Sequence, residues 1–78
     1  MEIVSKHGKA LFESQTAAHF KDLAEEAAAA QVNLTDADFS NQDLQGASLS
    51  GCSLIGACFD GADLEGADLS SCRLNGAS

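Results

Sequence analysis

Two histidines, three cysteines and twelve carboxylates are the side chains of this 78-residue chain with chemistry to offer. His7 and His19 stand near the start, twelve residues apart. They read as a turn residue and a helix-start residue rather than as general bases. The chain has no nucleophile elbow, no phosphate-binding loop and no Cys-x-x-Cys pair. Cys52, Cys58 and Cys72 have no histidine near them in sequence, so they do not spell a zinc site. Cys58 is the one thiol with a plausible reactive role, a redox sensor. Asp38, Asp43, Asp63 and Asp68 each directly precede a Leu or Phe, a regularity that points to architecture before catalysis. No enzyme activity, cofactor or metal is expected.

Charge narrows the partners. Twelve acids against four bases give a net charge of −8. Binding to nucleic acid or to an anionic membrane needs clustered Lys and Arg, so neither is expected. A basic protein partner is compatible, as is imitation of DNA. The start, Met1-Glu2-Ile3-Val4-Ser5-Lys6, lacks the basic-then-apolar form of a secretory signal. No apolar run approaches the roughly 20 residues that span a bilayer. An odd number of irregularly spaced cysteines fits a reducing compartment, and a cytoplasmic location is expected.

The elements that must position these groups follow from a repeat. A large apolar residue recurs every five positions: Leu34, Phe39, Leu44, Leu49, Leu54, Phe59, Leu64, Leu69 and Leu74. Two residues before each such centre stands a small residue, Ala, Cys or Val, with Gln42 the polar exception. Two residues after it, glycine recurs. A period of five suits neither a helix nor a strand. Centre and centre-minus-two share one face of an extended segment, and the two residues after the centre must turn a corner. A second period of twenty pairs Phe39 with Phe59 and Cys52 with Cys72, which predicts four units per coil.

The run Ala62-Asp63-Leu64-Glu65-Gly66-Ala67-Asp68-Leu69-Ser70 resembles the A-(D/N)-L-x-x signature of the pentapeptide-repeat proteins, and the resemblance extends over residues 32–78. It implies an all-β solenoid, a right-handed quadrilateral β-helix of about two coils, with the centres, Cys52 and Cys72 filling its interior. Gln42, Cys58 and Arg73 depart from the pattern. At about 4.8 Å per layer the stack would stand only about 10 Å tall.

Residues 1–31 lack the repeat and are expected to form an N-terminal cap. Residues 2–13 read as a hairpin turning at His7-Gly8. Residues from about 17 to 31 read as a helix, with Phe20, Leu23, Ala24, Ala27 and Ala28 on one face and Ser14 or Thr16 as its cap. Such a cap would cover one exposed end of a repeat stack. The C-terminal coil has no equivalent cover: either the chain is a fragment of a longer one, or the open end pairs with a second copy as a homodimer.

Stacking by twenty also sorts the surface. Asp43 falls over Asp63, with Glu65, Asp60 and Asp68 around them; the opposite side is nearly neutral and shows Ile55. These six residues are the candidate partner surface. The function expected is a non-catalytic protein–protein interaction module. The first alternative is an acidic DNA mimic acting on a type II topoisomerase such as gyrase; the second is a thiol-based redox sensor through Cys58.

Overall fold

The N-terminal segment pairs first with itself. In the computed structural model, which describes residues 1–78, β1 (Glu2–Val4) and β2 (Ala10–Glu13) form an antiparallel hairpin with Ile3 opposite Phe12. A bulge lies between Ile3 and Val4. The connection is wider than a two-residue turn. Ser5 organises it, accepting the Gly8 N–H on its carbonyl at 3.0 Å and the His7 and Lys9 N–H groups on its hydroxyl at 3.1 Å each. Gly8 stands at φ 84°, where a side chain would be strained.

The helix α1 (Phe20–Ala29) is shorter than the expected 17–31. Its first residues are diverted by a local competitor. The Ser14 hydroxyl accepts the N–H groups of Thr16 and Ala17 at 3.2 and 3.1 Å, and donates to Glu26 Oε1 at 2.8 Å. This holds residues 14–17 in a non-helical loop. Neither Ser14 nor Thr16 caps the helix; His19 occupies that position, without a side-chain bond. At the other end Gln31 adopts φ 57°, and Gln31 and Val32 donate to the carbonyls of Ala28 and Ala27 at 3.0 and 3.1 Å. That is a Schellman ending, made here without glycine. Leu23, Ala24 and Ala27 are buried, and Phe20 meets the Phe39 ring edge to face, centroids 5.6 Å apart.

From residue 32 onward there is no continuous strand. Each unit contributes one bridging residue, and the bridges run parallel at an offset of twenty: Asn33 with Ser53, Asp38 with Cys58, Asp43 with Asp63, Ser48 with Asp68, Ser53 with Arg73. A side of one unit is too short to register as more than a single-residue bridge, although the hydrogen-bond ladder is regular. Leu44 donates to the Asp63 carbonyl and Asp63 to the Gln42 carbonyl, at 2.8 and 2.9 Å. Between sides, each centre carbonyl accepts the N–H three residues on, as in Leu34 to Ala37 at 3.0 Å. The third residue of each such turn has positive φ, the mark of a type II turn. Glycine fills most of these corners; Asp36, Asn41 and Ser71 fill the others. A Cβ at Gly56 would collide with Asp36 Oδ1, and one at Gly61 with Asn41 Oδ1. Layers are therefore matched corner to corner.

The cap meets the first layer by hydrogen bonds as well as by packing. Ser5 bridges Ala37 antiparallel, Asp38 donates to the Val4 carbonyl, and Lys6 donates to the Asp36 carbonyl, the last two at 2.8 Å. On another side Glu25 Oε2 accepts the Ser48 N–H at 2.9 Å. One core runs through both parts, joining Ile3, Leu23, Ala24 and Ala27 to Leu34, Phe39, Leu44, Leu49 and Leu54, all fully buried, with Cys52 beside them. The ladder of centres is not uniformly interior. Phe59, Leu64, Leu69 and Cys72, in the outermost layer, are half-buried, and Leu74 is 40 % exposed. Phe59 still stacks on Phe39, centroids 5.3 Å apart and planes 14° from parallel.

Candidate functional site

The carboxylates singled out by sequence are first of all turn residues. Asp43 Oδ1 accepts the Gln45 N–H and Asp63 Oδ1 the Glu65 N–H, each at 3.1 Å. Asp68 Oδ1 takes the Ser70 N–H at 3.0 Å and its hydroxyl at 2.6 Å. Asp38 does the same with Ser40, and Asn33 with Thr35. An acceptor one residue before the centre thus satisfies the N–H one residue after it. That is why Asp and Asn recur there, and why asparagine serves as well as aspartate.

These bonds favour the charged form. The Ser70 hydroxyl and N–H hold the Asp68 carboxyl below its ordinary value, and the Ser40 hydroxyl and N–H do so for Asp38. Asp63 is lowered first by the Gln45 side-chain amide and then by the Glu65 N–H. Gln45 Nε2 reaches across from the layer below to Asp63 Oδ2. The period of twenty pairs Asp43 with Asp63 and Gln45 with Glu65, and by itself leaves out the bond from Gln45 to Asp63. The signal was the place of Gln45 eighteen residues before Asp63, next to the stacking offset.

The structure brings Asp43 and Asp63 together as bridged neighbours of one side. Asp60 and Glu65 flank that side at its two corners, both exposed and free of any side-chain hydrogen bond or ion pair. Asp68 lies on the next side, opposite Ser48. Ile55 is half-buried at a distant corner and does not join the carboxylates. Lys6 pairs with Asp36 at 3.7 Å and Arg73 bridges Ser53, both away from this side, whereas Lys21, paired with Glu25 at 3.6 Å, stands across a cleft from it. A shallow cleft of about 620 Å³ runs between the start of α1 and this acidic side, lined by His19, Phe20, Lys21, Asp22, Gln42, Asp43 and Gln45. Gln42 therefore meets the cap instead of the dry interior.

No three His, Cys, Asp or Glu side chains converge where a metal could sit. His7 and His19 are both exposed, one on the hairpin loop and one before α1. Cys58 points outward, bridged to Asp38. No helix is long and apolar enough to cross a membrane. The side bearing Asp43 and Asp63 is thus a surface of exposed carboxylates whose spacing is set by the backbone bridges.

Compared with known proteins, residues 33–70 match a family model described as Pentapeptide repeats, in eight copies. No curated protein and no solved structure matches the chain.

Proposed function

We propose that this chain, which belongs to the pentapeptide-repeat family through residues 33–70, is an interaction module that works without catalysis. Its repeats would form a right-handed quadrilateral β-helix, residues 32–78, capped by residues 1–31. Parallel bridges at a constant offset of twenty support four units per coil. The observation that carries the functional reading is the side bearing Asp43 and Asp63, with Asp60 and Glu65 exposed at its corners. Each of these positions is fixed by backbone pairing, so a partner meets a preset pattern of charge and spends little on ordering it. The partner this surface fits is a basic protein face.

The test is capture from the source cell by wild type and by the double variant Asp60→Asn/Glu65→Gln. Neither substitution removes a turn bond, so both proteins should give the same circular dichroism and unfolding midpoint. The wild type should retain a basic partner that elutes with salt, and the double variant should lose it. Equal capture by both would remove the acidic side from the proposal.

A second reading is imitation of DNA toward a type II topoisomerase. The net charge of −8 and the stacked carboxylates favour it. The longest dimension, 29 Å, limits how much duplex a single copy could resemble. A gyrase supercoiling assay separates the two readings: inhibition or drug protection supports mimicry, and an unchanged reaction leaves the basic-protein reading. Three free thiols support a cytoplasmic setting. Self-association through the last layer, where Leu74 is exposed, is proposed as well, and sedimentation of wild type against Leu74→Glu tests it.

A further inference from the structure

Cys52 and Cys72 are stacked. They stand twenty residues apart, Ser53 bridges Arg73, and the Arg73 N–H donates to the Cys52 carbonyl at 2.9 Å. The two residues are therefore neighbours in adjoining layers, and both thiols are free. Their surroundings differ. Cys52 is 3 % exposed, whereas Cys72 is half-buried in the last layer, its S–H directed to the Leu49 carbonyl at 3.0 Å. Cys58 has no such partner; its bridge is to Asp38.

We propose that Cys52 and Cys72 form a dithiol modification site that a small-molecule disulfide of the glutathione class oxidises to a disulfide across two layers. Neighbouring layers lie about 4.8 Å apart, inside the Cα separation of roughly 4.4–6.8 Å that a disulfide spans. Cys72 is half-buried, which leaves its side chain room to rotate toward Cys52.

The order of steps follows from access. The Cys72 thiolate attacks the small disulfide, forming a mixed disulfide and releasing one thiolate of the reagent. The Cys52 thiolate then attacks Cys72 Sγ and expels the second. Two protein thiols lose two electrons and two protons, and one disulfide is reduced to two thiols. The second step is the slow one. Burial, reinforced by the adjacent Cys72, pushes the Cys52 thiol up to about 11. Once Cys72 carries the adduct its own share of that shift is gone, and burial alone still holds down the Cys52 thiolate fraction, so the rate should climb with pH.

The experiment uses the full chain carrying Cys58→Ser, incubated with oxidised glutathione over a neutral to alkaline pH series. Glutathione should add once at Cys72 and then leave, faster at higher pH. The product should titrate no thiol in denaturant, weigh two hydrogens less than the reduced chain, and give a linked peptide containing both cysteines. Its unfolding midpoint should shift upward and fall back with reductant. A Cys52→Ala variant in the same background should keep the adduct. The proposal is overturned if glutathione stays on Cys72 while Cys52 still titrates at alkaline pH, if the disulfide joins two chains, or if the Cys52→Ala variant also sheds its adduct.

Discussion

Gln31 shows how a single residue can sit against its own preference. Its φ of 57° closes α1 in a place where glycine or asparagine is usual. The left-handed conformation costs an L-residue about 1–2 kcal/mol, part of which glycine gives back through its freer unfolded chain. Gln31→Gly should therefore raise stability by up to about 1 kcal/mol, read as a higher urea midpoint at unchanged slope. The centres divide by layer. Leu44→Ala removes a fully buried side chain and should cost about 2–5 kcal/mol. Leu74→Ala, in the exposed last layer, should cost well under half as much. Leu44→Asp should unfold the chain by burying an unpaired charge. The ladder itself was legible in the sequence, because every fifth residue is Leu or Phe. The demotion of Leu74 was not. The repeat pattern weights every layer equally, and burial depends on what lies above.

Corners and caps act at the scale of elements. Gly61 is held twice, by its φ of 72° and by Asn41 Oδ1 over the place its Cβ would take. Gly61→Ala should destabilise by more than the roughly 1–2 kcal/mol of the conformation alone. Adding Asn41→Gly should recover the excess but not the conformational part, so a double-mutant cycle should show positive coupling. At the cap, Glu25 stands in for the carbonyl that a lower layer would present to the Ser48 N–H. Glu25→Ala should cost about 1 kcal/mol or more, since it strands that donor. The glycine corners could be read from their recurrence two residues after each centre. The roles of Ser14 and Glu25 could not, because each bonds a residue distant in sequence, Glu26 or Ser48, and no local pattern announces it. The acidic side was half legible: Asp43 over Asp63 follows from the period of twenty, whereas Gln45 reaching Asp63 follows only from side-chain direction.

For the whole molecule, pH should act from both ends. Asp38, Asp63 and Asp68 are lowered in the folded chain, so their contribution is complete above the ordinary carboxylate value of about 4 and fades as pH falls through the lower folded values. Cys52 works in the opposite range. Its folded value of about 11 exceeds the ordinary 9.0, so the fold holds a proton that the unfolded chain releases, and stability should decline between these two pH values. Urea midpoints measured across pH should thus show a plateau with an acid and an alkaline shoulder. Cys52→Ala should remove part of the alkaline shoulder and leave the acid one in place.

The pairing of Asp36 with Gly56 and of Asn41 with Gly61 gives the molecule a rule for growing longer. A copy of residues 47–66 inserted after Gly66 would bring only glycine corners and could lengthen the protein by one storey. A copy of residues 32–51 inserted after Gly51 would set aspartate on aspartate and asparagine on asparagine, where Asp36 and Asn41 would have to turn their side chains aside. Tandem duplication, the simplest genetic route to a taller protein of this kind, is easier for one stretch of this chain than for the other.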